Sequence, residues 1–201
     1  MSEVDAAEHR AKMERIKAAK DRLYASKTQE KGLLIVHTGT GKGKSTAAWG
    51  LAMRCLGHGL KLGVVQFVKG RREPGERRFL ERFPELVTLK AMGEGFTWET
   101  QDRARDIAAA RAALAAAAQM LQDPELHLVI LDELNIVLRY DTLPLDEVLD
   151  VLAARRPGLH VVVTGRNAKP ELLEAADLVT EMRLVKHPFR QGIKGQLGIE
   201  F

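Results

Sequence analysis

Thr38-Gly39-Thr40-Gly41-Lys42-Gly43-Lys44-Ser45-Thr46 stands between a short apolar run and a helix-forming stretch. Glycines let backbone amides converge on phosphate oxygens, and the first turn of a helix adds partial positive charge. Lys44 supplies a cation for a phosphate, and the Ser45 hydroxyl a ligand for Mg²⁺ or Mn²⁺. A usual loop of this kind leaves four residues between its first glycine and Gly-Lys-Ser/Thr. Here Thr38 holds the first-glycine position, and Gly39 is separated from Gly43 by only three residues. The tighter loop, with Lys42 as an extra cation, suggests that polyphosphate is held differently from an ordinary ATPase.

A second candidate is Leu128-Val129-Ile130-Leu131-Asp132-Glu133, an apolar strand ending in carboxylates. Carboxylate oxygens are hard ligands suited to a divalent cation beside phosphates. Ligands of open parallel sheets bind outside the carboxyl ends of the strands. Asp132, Glu133 and the later Thr164-Gly165-Arg166 are thereby expected near the phosphates. Arg166 either stabilises charge on a departing polyphosphate or makes a surface ion pair.

Gly93-Glu94-Gly95-Phe96-Thr97-Trp98-Glu99-Thr100 carries two of the ten aromatic residues, two positions apart in a glycine-bearing loop. Rings left in water are unrewarded unless something covers them. A flat apolar ligand, stacked nucleobases and the protein's own core are the three candidates. Lys69-Gly70-Arg71-Arg72, with Arg77 and Arg78, reads as a solvated or anion-facing stretch.

The elements that must position these residues alternate from Gly32 onward. Strands are expected at 33–37, 62–68, 86–89, 127–131, 160–163 and 178–184. Helices are expected near 45–56, 76–83, 101–121 and 145–154, with a short one opened by Pro170 at its first turn. Gly57-His58-Gly59 closes the first of them. Continuous Val/Ile/Leu runs, rather than alternating ones, indicate a sheet buried on both faces. The fold expected is α/β: a single domain over 32–201, its mostly parallel sheet flanked by helices. Residues 1–31 lack Gly and Pro, and Met13, Ile16, Lys20 and Leu23 recur at helical spacing. They read either as a helical arm that docks on something or as a solvated leader.

The chain has 201 residues, 45% hydrophobic and 29% charged, which excludes wholesale disorder. A lone Cys55 excludes an internal disulfide framework and any multi-cysteine metal site. No apolar stretch reaches 18 residues and the N-terminus lacks a signal-like apolar region, so a cytoplasmic protein without a membrane partner is expected. The net charge of +4 is too small to imply nucleic acid, and suits a polyanionic nucleotide equally.

Taken together, the compressed loop, Gly57-His58-Gly59, Val64-Val65-Gln66-Phe67-Val68-Lys69-Gly70, Gly95-Phe96-Thr97-Trp98, Leu131-Asp132-Glu133-Leu134-Asn135 and Val185-Lys186-His187 resemble the P-loop type of ATP:corrinoid adenosyltransferase. The resemblance runs in order from about Gly32 to the end of the sequence, with the polar arm also typical. It implies transfer of the 5′-deoxyadenosyl group of ATP to Co(I) of a reduced corrinoid, with release of triphosphate. It further implies a RecA-like P-loop domain that holds ATP reversed, the γ-phosphate lying where other P-loops place the α-phosphate. Lys44 and neighbouring amides would hold triphosphate, while Ser45 and Glu133, with Asp132 beside them, would meet Mg²⁺. Phe96 and Trp98 would pack on the corrinoid and displace its lower axial ligand, easing reduction to Co(I). Relatives are homodimers whose arm closes over a site, and the reductant expected is a flavoprotein. The Asp-x-His-x-x-Gly pattern of proteins that keep a corrinoid as bound cofactor is absent. The corrinoid is thus expected as substrate and His187 as a structural or polar residue.

The rival reading is a RecA-like ATPase acting on single-stranded nucleic acid, with Glu133 activating water and Phe96 and Trp98 stacking on bases. A small-molecule kinase and a non-catalytic nucleotide sensor are further alternatives. Their products differ, since only adenosyl transfer yields triphosphate and a cobalt–carbon bond.

Overall fold

In the computed structural model the described residues are 3–68, 74–92 and 102–200. The chain divides into two compact units, Met1–Lys31 and Gly32–Phe201. The first holds one helix, α1 (Glu3–Ala25), with Met13, Ile16 and Leu23 all exposed. The loop bearing Phe96 and Trp98 and the basic stretch Lys69–Arg72 lie outside the described residues.

The second unit is built on six parallel strands: β1 (Leu34–Thr38), β2 (Lys61–Gln66), β3 (Val87–Ala91), β4 (Leu126–Asp132), β5 (His160–Thr164) and β6 (Leu178–Glu181). Their order across the sheet is β3-β2-β4-β5-β1-β6. The helices are α2 (Lys44–Gly57), α3 (Gly75–Leu80), α4 (Arg103–Gln122), α5 (Leu134–Arg139), α6 (Leu145–Ala153) and α7 (Pro170–Ala175), followed by a 3₁₀ turn at Pro188–Gln191.

The apolar runs of the inner strands divide between two cores, one on each face. Val129, Leu131, Val161 and Val163 join Leu34 and Val36 against the alanine-rich face of α4 (Ala110, Ala113, Ala117). Leu128, Ile130, Val162 and Ile35 pack on the other side against Ala48, Trp49 and Ala52 of α2. Each such fully buried aliphatic side chain contributes about 1.5–3 kcal/mol relative to exposure. Gly63 lies directly under α4: a Cβ there would stand 2.8 Å from Met120 Sδ. The burial of both faces holds for the inner strands only. All four residues of the edge strand β6 are exposed.

Two departures from the sequence reading bear on the site. The last strand was expected to run to Leu184 but ends at Glu181, because Met182 leaves the ladder to cross the glycine loop after β1. A helix at Leu134–Arg139 is also present where the sequence indicated none. It starts directly after Glu133, whose backbone is left-handed (φ 61°, ψ 21°) and turns the chain off the end of β4.

Candidate nucleotide site

The carboxyl ends of β1, β2, β4 and β5 open onto a cavity of about 880 Å³. That volume is within the range of small-molecule sites. The glycine loop supplies one wall, from Gly41 through Thr46. Gly43 precedes α2 with φ 107°, and no side chain caps the helix, so its first amides face the cavity without a built-in anion. Lys44 is buried, and its Nζ donates to the Gly41 carbonyl at 2.5 Å. Burial lowers its pKa, Arg166 and Lys42 lower it further, and Glu133 opposes them. An incoming phosphate would relieve that crowding of positive charge.

The first half of the loop does a different job. Thr38 is buried and its hydroxyl accepts from the Ala168 amide at 3.0 Å. Met182 N donates to Thr38 O at 2.9 Å, and Gly41 N donates to Met182 O at 2.6 Å. A Cβ on Gly39 or Gly41 would lie 2.5 or 2.7 Å from that Met182 carbonyl. The strand-crossing segment thus clamps the loop from outside and uses one of its amides. Thr38, Gly39 and Thr40 do not line the cavity, whereas Gly41, Lys42, Gly43, Lys44, Ser45 and Thr46 do. The glycines at 39 and 41 are required by this close packing.

Opposite the loop, neighbouring strands β4 and β5 end side by side. Thr164, fully buried, donates through Oγ1 to Asp132 Oδ1 at 2.8 Å and accepts from Glu133 N at 2.9 Å. Gln66 of β2 donates to the other Asp132 oxygen at 3.4 Å. Asp132 is therefore engaged on both oxygens by its own chain. Glu133 is not: its Oε2 is buried without a partner. Burial pushes the Glu133 carboxyl up to about 7, with Asp132 adding to the rise while Lys44 and Arg166 pull against it. Asn135, also fully buried, donates to Gly165 O at 3.1 Å, and a Cβ on Gly165 would stand 2.7 Å from the Asn135 Cβ. This contact fixes the turn that presents Arg166 to the cavity.

Of the residues singled out from sequence, Lys42, Lys44, Ser45, Thr46, Asp132, Glu133 and Arg166 share this cavity. Phe96 and Trp98 fall outside the described residues. Sequence reasoning missed the Thr164 hydroxyl as the joint between the two strands. It also missed Gln66 and Asn135 as polar groups of the site, although both lie inside quoted motifs. Gly198, Ile199 and Glu200 complete the wall beside the glycine loop and had no local signal. His187 Nδ1 accepts from Phe189 N at 3.1 Å and caps the 3₁₀ turn.

Comparisons with known proteins agree in one direction. The family model described as ATP:corrinoid adenosyltransferase BtuR/CobO/CobP matches residues 30–201. A corrinoid adenosyltransferase of Pseudomonas aeruginosa is 58% identical over 193 residues, 96% of this chain and 95% of that protein. One from Sinorhizobium sp is 52% identical, covering 100% of this chain and 94% of its own. One from Salmonella typhimurium is 46% identical, covering 96% and 97%. Among solved structures, the RadB recombinase shares the fold at a TM-score of 0.51 and 16% identity, over 79% of this chain and 78% of that one.

Proposed function

The chain belongs to the ATP:corrinoid adenosyltransferase family, and on that premise we propose how its residues divide the work of adenosylating a corrinoid with ATP in cobalamin biosynthesis. The nucleic-acid-dependent ATPase is not favoured, because relatives matched over nearly the whole chain are adenosyltransferases. One observation supports the assignment of roles. Lys42, Lys44 and Ser45 from the β1–α2 junction, Glu133 just after β4 and Arg166 just after β5 line a single cavity.

In the reaction the Co(I) electron pair attacks C5′ of ATP, and the C5′–O bond breaks with its electrons leaving on the triphosphate. The nucleophile belongs to the substrate, so the protein needs no base aimed at water. Its task is to hold two substrates and to stabilise a departing polyanion. Lys44 exchanges its Gly41 carbonyl for a phosphate oxygen, and the uncapped amides of α2 with Lys42 and Arg166 take up the remaining charge. The site fits a divalent cation, since the buried Glu133 Oε2 lacks a donor and Ser45 lines the same cavity. Ser45 and Glu133 would hold Mg²⁺ or Mn²⁺, with Asp132 oriented behind them by Thr164 and Gln66. When bound, the ion neutralises phosphate charge.

Phe96 and Trp98 we assign to the corrinoid, as packing groups that displace its lower axial ligand. The exposed Met13, Ile16 and Leu23 of α1 support an arm that closes over a corrinoid in a homodimer. Cobalt must arrive reduced, which calls for an electron-donating flavoprotein, and the setting we infer is the cytoplasm. The test is product analysis with ATP, Mg²⁺ and chemically reduced corrinoid. Triphosphate and a light-sensitive cobalt–carbon spectrum are expected; ADP with no organometallic product would overturn the reading.

A further inference from the structure

The glycine loop carries a cation that an ordinary phosphate loop lacks at this place, and it is already occupied. Lys42 Nζ is ion-paired with the Glu200 carboxylate, more than 150 residues away in sequence. Glu200 sits in a hydrogen-bonded turn. Ile199 N and Glu200 N both donate to Gln196 O, at 3.2 and 2.9 Å, and Gly198 takes the left-handed φ of 79° that closes this turn. The turn sets Gly198, Ile199 and Glu200 into the wall of the nucleotide cavity beside Gly41–Thr46. Glu200 is the more buried partner, with a side chain 23% exposed against 49% for Lys42.

We propose that Glu200 is a positioning residue that competes with the polyphosphate for Lys42, restraining the cation in the empty site and reclaiming it to speed release of triphosphate. The inference rests on the assignment of this cavity to ATP. Lys42, Lys44 and Arg166 are cations that stabilise the leaving group, and the same cations retain it once it has left. Free triphosphate carries more charge than the ester it came from, so a purely cationic cradle would bind product more tightly than substrate. A carboxylate tied to the cavity wall offsets that preference. It offers Lys42 an intramolecular partner whenever the polyanion loosens, and it repels the polyanion while it stays. Lys44 is placed differently: the Glu133 carboxyl acts on it only through space, and its hydrogen-bonded partner is the neutral Gly41 carbonyl.

The experiment is calorimetric binding of inorganic tripolyphosphate in Mg²⁺ buffer to the full chain and to Glu200→Gln, Glu200→Asp, Lys42→Ala and the Lys42→Ala/Glu200→Gln double variant. Glu200→Gln is expected to bind tripolyphosphate about three- to tenfold more tightly, the scale of a half-exposed ion pair plus relieved repulsion. Glu200→Asp should fall back toward the unaltered protein. In the Lys42→Ala background the Glu200→Gln gain should shrink to less than about twofold, because the two residues act as a pair. With reduced corrinoid and ATP, Glu200→Gln should also show a lower inhibition constant for tripolyphosphate. Unchanged or weaker binding by Glu200→Gln, or a gain that persists in full without Lys42, would overturn the competition while leaving the cavity's assignment intact. Failure of the unaltered chain to bind tripolyphosphate would overturn that assignment, and the proposal with it.

Discussion

The two ends of the sheet are made from the same strands and treat their polar groups in opposite ways. At the amino ends, open backbone groups and charges find partners close by. Leu34 N donates to Asp177 Oδ2 at 2.9 Å and Leu33 N to His160 Nδ1 at 3.2 Å. Arg156 donates to the carbonyls of Asp123, Leu126 and Pro157, tying the start of β4 to the turn before β5. At the carboxyl ends, Glu133 Oε2 and Asn135 Oδ1 are buried without partners, Glu133 is left-handed, and Lys44 sits among like charges. One end is arranged for stability. The other holds a left-handed glutamate and a buried carboxyl oxygen without a partner.

The largest separation of the two ends comes from a crossed pair of substitutions. Lys44→Ala should lower kcat/KM for ATP by about 10- to 150-fold, the loss of a charge-assisted contact worth about 1.5–3 kcal/mol. Its urea midpoint should hold or rise, since a buried amine of lowered pKa is removed. Arg156→Ala should do the reverse: a stability loss of about 2 kcal/mol from carbonyls left without their donor, with kcat/KM within about twofold. A stability loss in the first variant, or a large kinetic loss in the second, would break the division of labour.

The Glu133 carboxyl gives a pH signature for the same contrast. Its ordinary value is 4.5 and burial raises it to about 7 in the folded chain. Between these values the unfolded chain releases the proton while the folded chain keeps it, so stability falls as pH rises through that window. The full effect is on the order of 3 kcal/mol above pH 7. Unfolding of the metal- and nucleotide-free protein at pH 4.5, 6 and 8 should show this slope. Glu133→Gln should flatten it and be the more stable protein at pH 8. A slope unchanged in Glu133→Gln would place the ionisation elsewhere.

The fold was legible because buried parallel strands announce themselves as continuous apolar runs, and five of the six strands lie within two residues of their expected ends. β6 was overextended because Leu178–Leu184 stays apolar enough for a strand, while the departure at Met182 is dictated by the glycine loop it crosses, which no local pattern records. The short helix Leu134–Arg139 was missed for a related reason. Its start depends on a left-handed Glu133, held by a hydrogen bond from Glu133 N to Thr164 on a different strand. The cavity's loop and carboxylates were visible through motif chemistry. Glu200 and Asn135 were not, since their roles arise only when segments distant in sequence are folded onto the sheet edge.

The smallest expected effect tests whether the strand-end hydroxyl belongs to the stable end's logic or to the site's. Thr164→Val keeps shape and β propensity, yet leaves the Glu133 amide without its acceptor and Asp132 Oδ1 without its donor. A purely structural hydroxyl would cost about 1–2 kcal/mol of stability and leave the kinetics alone. If Thr164 orients Glu133 for the metal, the variant should also need severalfold more Mg²⁺ for half-maximal rate, while KM for the corrinoid stays put. Binding of Mn²⁺ to the ATP complex, followed by electron paramagnetic resonance, reads the same loss without catalysis. Thr164→Ser, which restores the hydroxyl but not the methyl, should recover the metal dependence even where it does not recover stability. Recovery of stability without recovery of the metal dependence would count against orientation and move Thr164 to the structural side.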